Sequence, residues 1–506
     1  MPEVELKFEV DAEGRRRLAR AQALAGARPR RHRMASIYFD TPQCDLARRE
    51  MALRLRREGR RWVQTLKSGS SGLGGLHARD EWEFDRPGPH LDLSLFADTP
   101  LAKVEAPATL HERLVPAFQV DVERLTWKLA PAAGSTLEVA LDAGQVESRG
   151  RREAISEIEI ECLEGDAGAA FDLAARLLDE VALRPSAVTK AARGYRLFRR
   201  AVPRPRKAER LHLDAAMTPL VAARALLASS LAQLQANEEG VLRSTAPEFV
   251  HQARIALRRM RSLLRIFHDE IGAERATAWR TQLGGAAKAL GAARDWDVLA
   301  TESLPPLAAA HDDPSTARRL EAAVARRRRL ARESAREVLR SPGHARVILD
   351  LSRWLAAPDP PALAGQVELL EAFASRIIRK RHKRLIAGAA RLEAMSPEER
   401  HRVRIDAKRL RYGVEGLASI FKTRRVKRYV RSLSNLQDAL GQANDAATAH
   451  RLLATLEPPA PFAAFARGWF AARRQGDPLL LRTLVARLSE GKRFWSRKPA
   501  KQAAQA

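Results

Sequence analysis

The hydrophobic pattern of this 506-residue chain changes its period once, near residue 205. Before that point, short segments alternate apolar and polar residues, which is the period-two pattern of half-buried β-strands. After it, apolar residues recur with the 3.6-residue period of amphipathic helices. A chain of this length forms more than one domain. We therefore predict a multidomain α+β protein in which a β-rich region precedes an all-α region.

Eight alternating segments predict eight strands in the first region, at residues 3–10, 36–41, 52–58, 61–68, 79–85, 123–130, 135–144 and 155–162. Helical patterns cover roughly residues 11–25 and 168–182. Strands outnumber helices and the loops are short, which favours an antiparallel sheet or barrel. The predicted domains are residues 1–200, a basic proline-containing linker at 201–213, a helical domain at 214–495 and a tail at 496–506.

Charge is distributed unevenly between the two regions. Residues 1–200 contain 33 Lys and Arg against 31 Asp and Glu, whereas residues 201–506 contain 56 against 30. The helical region is therefore a strong polycation, and polyanions are its natural partners.

Other features of the sequence favour a cytoplasmic protein without a membrane anchor. The two cysteines, Cys44 and Cys162, have no metal-ligand spacing and provide no disulfide framework. The first ten residues are acidic and alternating, unlike a secretory signal. No apolar run approaches the length of a membrane span.

The predicted strands carry charged residues along one face. Glu3, Glu5, Lys7 and Glu9 alternate with apolar residues in "EVELKFEV", and similar faces carry Arg54 with Arg56, Arg79 with Glu81 and Glu83, Glu138 with Asp142, and Glu157 with Glu159 and Glu161. One interpretation is a sheet whose outer face lies in water. The alternative is a closed barrel with a charged interior, where carboxylates bind divalent cations and basic side chains bind phosphate. Repetition of the pattern in strand after strand favours the charged interior.

The first region resembles the CYTH domain family, also called triphosphate tunnel metalloenzymes. "EVELK" matches the ExExK signature of the family, and "IYFDT", "ALRLR", "QTLK", "EVALD", "SEIEIE" and "TKAARGY" follow in the family's order. The resemblance covers essentially residues 1–200. It implies an N-terminal eight-stranded antiparallel β tunnel barrel with helices, which cleaves a triphosphate with Mg²⁺ or Mn²⁺.

The resemblance also implies roles for individual residues. The implied metal ligands are Glu3, Glu5, Asp142, Glu157 and Glu159, with Glu161 a further candidate. The implied phosphate ligands are Lys7, Arg54, Arg56, Lys67, Arg79, Arg124, Lys190 and Arg193. Glu5, Lys7, Arg54 and Arg56 would form the catalytic core. Glu9 matches no signature position, so we expect it to be solvated.

The glycine-rich stretch "SGSSGLGG" at 68–75 invites comparison with a phosphate-binding loop. It lacks the GxxxxGK[ST] pattern and does not open a helix. We expect a mobile hairpin loop at the mouth of the tunnel instead.

The helical region repeats itself internally. "HQARIALRRMR" at 251–261 aligns with "HRVRIDAKRLR" at 401–411, and "LGAARDWDVL" at 290–299 aligns with "LGQANDAATA" at 440–449. Both alignments have the same offset of 150 residues. We therefore predict a C-terminal all-α domain of two pseudo-repeated helical bundles.

Each copy of the repeat places basic residues on one narrow stripe of a helix. At 100° per residue, His251, Arg254, Arg258, Arg261 and Arg265 fall within about 80° of one another. Met260, Leu263, Leu264 and Phe267 take the opposite face. Stacked like charges repel, so an anion is expected to compensate them. A solvated arginine-rich face is the alternative, but the recurrence at a fixed offset favours binding.

These helices resemble the CHAD domain family, over roughly residues 214–495. The resemblance implies binding of inorganic polyphosphate along a basic groove between the two halves. The implied contacts are His251, Arg254, Arg258, Arg261, His401, Arg404, Lys408 and Arg411, with Arg259 and Arg409 less central. Asp295 and Asp445 are expected to pair with stripe arginines, and His382 is expected to have a packing or capping role.

Nucleic acid is the competing polyanion for the helical region. Single-stranded nucleic acid is bound by stacking bases on aromatic side chains. Aromatic residues make up 5% of the chain, and none is interleaved with the basic residues of the stripes. Polyphosphate is therefore favoured, although duplex binding through phosphates alone stays open.

Together these features predict metal-dependent hydrolysis of inorganic triphosphate to pyrophosphate and phosphate, beside a polyphosphate-binding helical domain. Thiamine triphosphate and nucleoside triphosphates are alternative substrates, and adenylate cyclisation is a third activity of the family. A non-catalytic protein that binds or scaffolds polyphosphate is the alternative from another class.

Overall fold

The computed structural model describes residues 3–132, 134–358, 368–390, 395–421, 423–474, 478–491 and 493–495. The chain divides into two compact units. The first, here called the tunnel unit, comprises residues 1–204 with 339–357, and the second, the helical unit, comprises residues 205–338 with 358–506. The predicted tail at 496–506 lies outside the described residues. Within the described part of the chain, no helix has the length and apolarity that crossing a membrane requires.

The strands found among the described residues all lie in the tunnel unit. They are β1 (Glu3–Val10), β2 (Arg30–Asp40), β3 (Met51–Glu58), β4 (Arg61–Leu73), β5 (Leu76–Arg86), β6 (Val115–Ala132), β7 (Ser135–Ser148), β8 (Arg151–Glu164) and β9 (Leu183–Pro185). Short 3₁₀ helices lie at Gln22–Leu24, Leu93–Phe96 and Pro100–Lys103.

Helices occur in both units. Those of the tunnel unit are α1 (Ala12–Leu18), α2 (Asp45–Arg48), α3 (Pro107–Arg113), α4 (Gly168–Glu180), α5 (Lys190–Phe198) and α12 (Pro342–Ala356). Those of the helical unit are α6 (Pro219–Arg243), α7 (Pro247–Ile266), α8 (His268–Ile271), α9 (Ala273–Val298), α10 (Leu304–Ala309), α13 (Leu370–Ala389), α14 (Pro397–Gly416), α15 (Thr423–Ala454), α16 (Ala460–Arg474) and α17 (Pro478–Glu490). Helix α11 (Pro314–Arg340) belongs to the helical unit as far as residue 338, and its last two residues belong to the tunnel unit. A π-helical turn follows α9 at Leu299–Ser303, and a 3₁₀ turn follows α14 at Ala418–Ile420.

The strands form one antiparallel sheet that closes on itself. Their order is β5-β4-β3-β2-β6-β7-β8-β1-β9, and β5 also pairs with β1. Eight strands therefore form the predicted antiparallel tunnel, which is confirmed, and the three-residue β9 adds to the outer side of β1. Every predicted strand is present, and β2 starts six residues before its predicted beginning.

The alternation of each strand separates the outer core from the charged interior. Leu6, Phe8, Ile158 and Ile160 are almost fully buried on the outer face. They pack with Leu173 and Leu177 of α4 in one apolar cluster. Burial of these outer faces fixes the register, because a one-residue slip would turn the charged side chains into the core.

Helix α12 packs on the outer face of the tunnel, although it comes from a segment between helices of the helical unit. Ala345 and Leu349 are buried in the same apolar cluster as α4. Arg353 pairs with Asp172 of α4 at 2.5 Å, and Arg346 also donates a hydrogen bond to Asp179. Residues 339–357 therefore belong to the tunnel unit.

The glycine-rich stretch is mostly strand, which corrects the expectation of a hairpin loop over residues 68–75. Strand β4 continues to Leu73, and only Gly74 and Gly75 form the turn to β5. Both have positive φ, at 65° and 90°, which glycine adopts without strain. The amide of Lys7 donates to the Gly75 carbonyl at 2.7 Å, so this turn lies beside β1.

The helical unit shows the predicted internal repeat in its helix boundaries. Helix α7 spans residues 247–266 and α14 spans 397–416, so both ends differ by 150. Helices α9 and α15 begin at residues 273 and 423, again 150 apart. In each half the corresponding helices pack in sequence, α6 on α7 on α9 and α13 on α14 on α15, and α7 also contacts α14.

The apolar face predicted for α7 forms core. Met260, Leu263, Leu264 and Phe267 are each at most 2% exposed. His382 is a core residue of the second half, as expected, because its Nδ1 shares a 2.7 Å hydrogen bond with the Tyr429 hydroxyl and its ring packs on Trp495.

Candidate functional site

The interior of the tunnel is a cavity of about 1050 Å³. Seven of the eight predicted phosphate ligands line it, namely Lys7, Arg54, Arg56, Lys67, Arg79, Arg124 and Lys190. They come from five different strands and from the first turn of α5, and the inward face of each strand brings them together. The sheet thus collects basic side chains from residues 7 to 190 in one concave site.

Carboxylates occupy the same cavity. Glu5, Glu159 and Glu161 line it, while Asp142 and Glu157 are fully buried beneath its surface. Glu3 lies in β1 opposite Arg79, and its side chain is outside the described part of the structure. The predicted metal ligands with described side chains therefore lie on three neighbouring strands, β7, β8 and β1.

Three of these carboxylates lie close enough together to hold one divalent cation. Asp142, Glu157 and Glu159 each place a carboxylate oxygen within 4.8 Å of the others. Oxygen-only ligand sets suit hard cations such as Mg²⁺ and Mn²⁺. Glu157 Oε2 is buried without a hydrogen-bond partner among the described residues, so one acceptor remains for a cation. The carboxylates present therefore fit such an ion.

Lys7 is the cation at the centre of this carboxylate group. Its Nζ lies 2.7 Å from Glu159, 3.4 Å from Glu157 and 3.7 Å from Glu5. Burial alone would lower the pKa of Lys7, but these carboxylates outweigh burial and raise that pKa. Lys7 therefore stays protonated and acts as a cation rather than a base.

The basic wall opposite is formed by β3, β4 and β5. Arg54 Nη2 lies 3.2 Å from Glu81 and 3.3 Å from Glu83, and Lys67 Nζ lies 2.9 Å from Glu81. The Nε atoms of Arg54 and Arg79 are buried and have no hydrogen-bond partner among the described residues. Buried donors of this kind are costly unless a ligand or water accepts from them.

Arg193 is the predicted phosphate ligand that does not line the cavity. Its side chain is 2% exposed and pairs with Glu9 at 2.8 Å and Glu153 at 3.0 Å. Glu9 is also paired with Arg184, so the expectation that Glu9 is solvated is wrong. Glu9 therefore has a structural role, because its carboxylate pairs with both Arg184 and Arg193.

Some cavity residues have no counterpart in the predicted set. Glu81 and Glu83 pair with the basic wall, and the charged face of β5 in the sequence is the signal for them. A basic run at the start of β2 also lines the cavity, with Arg28, Arg30, Arg31, His32 and Arg33. The sequence signal is that run itself, directly before the alternating pattern of the strand.

The basic stripes of the helical unit meet at a pocket of about 290 Å³. Arg254, Arg258, Arg261 and Arg265 of α7 line it together with Lys408 and Arg409 of α14. The Nε atoms of Arg258, Arg261, Arg404 and Arg409 are buried without a hydrogen-bond partner within the described part of the chain. The guanidinium groups around the pocket therefore carry positively charged N–H donors that no described residue accepts from.

The two histidines that lead the stripes differ in environment. His251 is half-buried, and burial together with Arg294 lowers its pKa, so the ring is neutral near pH 7. His401 is exposed. Asp295 and Asp445 lie 3.8 Å from Arg254 and 3.4 Å from Arg404, the pairing expected from the sequence.

An aromatic residue lies among the stripe residues, which corrects the expectation that none does. Tyr412 lines the pocket, one turn after Lys408 on α14. The Arg258 guanidinium lies 5.0 Å from the centre of the Tyr412 ring. One face of the ring is therefore covered by a cation.

Comparisons with known proteins cover most of the chain. Residues 1–195 match the CYTH domain, and residues 225–454 match the CHAD domain. An inorganic triphosphatase of Haemophilus influenzae is 31% identical over 176 residues, which are 32% of this chain and 46% of that protein. The match therefore spans less than half the length of this relative.

Two solved structures are also similar. The CHAD domain of the plant Ricinus communis has 32% identity and a TM-score of 0.50, covering 57% of this chain and 98% of that one. A putative adenylyl cyclase from Hippeastrum, described as having a dominant triphosphatase activity, has 22% identity and a TM-score of 0.31, covering 40% of this chain and 98% of that one. The chain belongs to the CHAD domain family through its helical region, and its residues 1–195 match the CYTH domain.

Proposed function

We propose that the tunnel hydrolyses inorganic triphosphate to pyrophosphate and phosphate with the help of Mg²⁺ or Mn²⁺. The observation that carries the proposal is the cavity itself, where seven basic side chains surround buried carboxylates. The buried Nε donors of Arg54 and Arg79 support an anionic ligand there. The similarity to an inorganic triphosphatase favours this substrate.

The basic wall would bind the phosphate chain by exchanging its carboxylate partners for phosphate oxygens. Arg54, Arg56 and Lys67 pair with Glu81 and Glu83. Phosphate oxygens carry more charge than these carboxylates and accept bidentate hydrogen bonds from arginine. Binding of triphosphate would therefore replace carboxylate contacts by phosphate contacts without moving the strands.

The carboxylates Glu5, Asp142, Glu157 and Glu159, with Glu3, would hold the divalent cation. When bound, such an ion supplies neutralisation of phosphoryl oxygens and activation of water. Hydrolysis adds the oxygen of water to a terminal phosphorus and breaks that atom's bond to the bridging oxygen, which leaves with pyrophosphate. Arg54, Arg56 and Arg124 lie where they can meet the charge of the departing pyrophosphate.

The cavity favours a triphosphate without an organic group. Tyr38 is an aromatic residue of the lining, but its ring is buried and stacks on Phe118 with centroids 4.5 Å apart. That ring is therefore packed within the core, whereas a thiamine or nucleobase ring would stack on an open aromatic face. Thiamine triphosphate, nucleoside triphosphates and adenylate cyclisation are the less favoured alternatives.

A substrate panel tests the activity. Purified full-length protein is assayed for phosphate release from triphosphate, long-chain polyphosphate, thiamine triphosphate and ATP, each with Mg²⁺ or Mn²⁺. We expect triphosphate to give the highest kcat/KM. Absence of release from every substrate would instead favour the non-catalytic polyphosphate-binding alternative.

For the helical unit we propose binding of inorganic polyphosphate along the stripes of α7 and α14. The unused Nε donors of Arg258, Arg261 and Arg404 support an anion with many oxygens. A bare phosphate chain is favoured over single-stranded nucleic acid because Tyr412 is the aromatic residue that lines the described pocket, and Arg258 covers one face of its ring.

A quadruple variant tests the binding proposal. Replacing His251, Arg258, Arg404 and Arg411 by alanine in the full chain is expected to abolish most polyphosphate binding in a filter assay. Binding equal to that of the unmodified chain would contradict the assignment of the stripes.

A further inference from the structure

Lys190 occupies the centre of the carboxylate triad formed by Asp142, Glu157 and Glu159. Its Nζ lies 2.6 Å from Asp142, 2.6 Å from Glu157 and 2.8 Å from Glu159. An ammonium group with three carboxylate oxygens at these distances satisfies all of its donors. The side chain thus takes the position in which the triad would otherwise hold a cation.

The triad has further cations of its own. Arg124 makes a bidentate pair with Asp142, with both distances 2.7 Å, and donates to Glu159 at 2.6 Å. Lys7 donates to Glu159 at 2.7 Å. Arg124, Lys190 and Lys7 therefore supply every carboxylate of the triad with a cationic partner without a metal ion.

A divalent cation that enters without an anion would disturb these ion pairs. It would bring two more positive charges into a largely buried site, where an uncompensated charge is strongly unfavourable. It would also compete with the Lys190 ammonium for the carboxylates of Asp142, Glu157 and Glu159.

Lys190 can nevertheless leave the triad. It is the first residue of α5 and lines the cavity, where its long, flexible stem can turn towards a ligand. A phosphate oxygen in the cavity would accept from the displaced ammonium. Entry of an anion would therefore compensate both the displaced lysine and the incoming cation.

We propose that Lys190 excludes free divalent cations from the carboxylate triad, so that the metal ion enters together with a phosphate chain that draws Lys190 out. This inference rests on the proposed function for the identity of the anion. Lys190 is thereby a positioning residue that makes metal binding and phosphate binding depend on each other.

Metal binding without substrate tests the proposal. The full chain and its Lys190→Met variant are titrated with Mn²⁺ alone, and free Mn²⁺ is followed by electron paramagnetic resonance. Removing the ammonium frees the three carboxylate oxygens that it contacts, so we expect Lys190→Met to bind Mn²⁺ at least about tenfold more tightly than the unmodified chain. Lys67→Met is the matched control, because Lys67 lines the same cavity but pairs with Glu81 outside the triad. Its Mn²⁺ affinity is expected to stay within about twofold.

Two further measurements separate the outcomes. Lys190→Gln, which keeps a polar side chain, is expected to show the same tightening, and Mn²⁺ is expected to raise the Tm of both Lys190 variants more than that of the unmodified chain. Unchanged or weaker Mn²⁺ binding by both Lys190 variants would overturn the proposal. Neither readout involves hydrolysis, so a failure of the proposed activity would be seen separately as absent phosphate release.

Discussion

The guanidinium of Arg411 donates to Glu415 at 2.7 Å, one turn further along α14. The position corresponding to Glu415 in α7, 150 residues earlier, is Arg265. One copy of the basic stripe therefore ends in an ion pair, and the other ends in two neighbouring cations. The two basic stripes therefore differ in charge, although the internal repeat relates α7 to α14.

This asymmetry predicts unequal contributions to polyphosphate binding. Arg261→Ala is expected to weaken binding by roughly tenfold, because it removes a charged partner that no carboxylate neutralises within α7. Arg411→Ala is expected to cost less, because Glu415 already pairs with it. Glu415→Gln should tighten binding by freeing Arg411. Isothermal titration with polyphosphate of fixed length measures all three, and equal losses for the two arginines would contradict the asymmetry.

Polyphosphate binding should also weaken as pH rises through about 8. Burial and the neighbouring Arg404, Arg258 and Arg254 lower the pKa of Lys408 to about 8. Lys408 is thus charged below that pH and neutral above it, while the arginines stay charged. We expect the Kd to rise by several-fold between pH 7 and pH 9.5. Lys408→Arg keeps its charge over this range and should flatten the profile; an equally steep profile in this variant would show that another group titrates.

Substitutions at Arg193 and Arg54 should affect different properties: the first the stability of the fold, and the second the binding of substrate. Arg193→Met removes a buried guanidinium that pairs with Glu9 and Glu153, which keep Arg184 and Arg196 as partners, so it is expected to lower the free energy of unfolding by about 1–3 kcal/mol. The KM for triphosphate should change little in the protein that folds. Arg54→Met should instead raise KM. Denaturation curves and steady-state kinetics of both variants provide the comparison, and a large KM increase in Arg193→Met alone would restore Arg193 to the phosphate site.

Helix α12 should contribute to the stability of the tunnel unit. Leu349 is 1% exposed within the core that includes α4, so Leu349→Ala is expected to cost about 2–5 kcal/mol. Leu163→Ala is the matched control, because Leu163 is 40% exposed in β8 and its loss should cost less than about 1 kcal/mol. Hydrogen exchange of the α4 amides reports the local effect. Equal protection in both variants would mean that α12 is not part of this core.

The tunnel could be predicted because its signal is local. Period-two alternation is a property of a few adjacent residues, and it gave all eight tunnel strands and the inward position of residues such as Glu5 and Lys7. The repeat offset of 150 similarly predicted the matching boundaries of α7 and α14. Charged faces repeated on several strands then indicated a common interior.

The environment of Arg193 could not be predicted in this way. Its partner Glu9 is 184 residues away in the sequence, and only the folded sheet brings the two together. The same applies to α12, whose helical periodicity resembles that of its sequence neighbours although it packs on the tunnel. Tyr412 was visible in the sequence beside Arg411, but its covering by Arg258 depends on the contact between α7 and α14.

Metal-dependent phosphate release from inorganic triphosphate tests the central claim most directly. The purified full chain is assayed with Mn²⁺ or Mg²⁺ and again after EDTA has removed the metal. The Glu5→Gln variant is assayed with the metal. Glu164→Gln is the control, because Glu164 lies at an exposed position of β8. We expect release that requires the metal, falls by at least about a hundredfold in Glu5→Gln and is unchanged in Glu164→Gln. Release that persists in EDTA, or that Glu5→Gln retains in full, would contradict it.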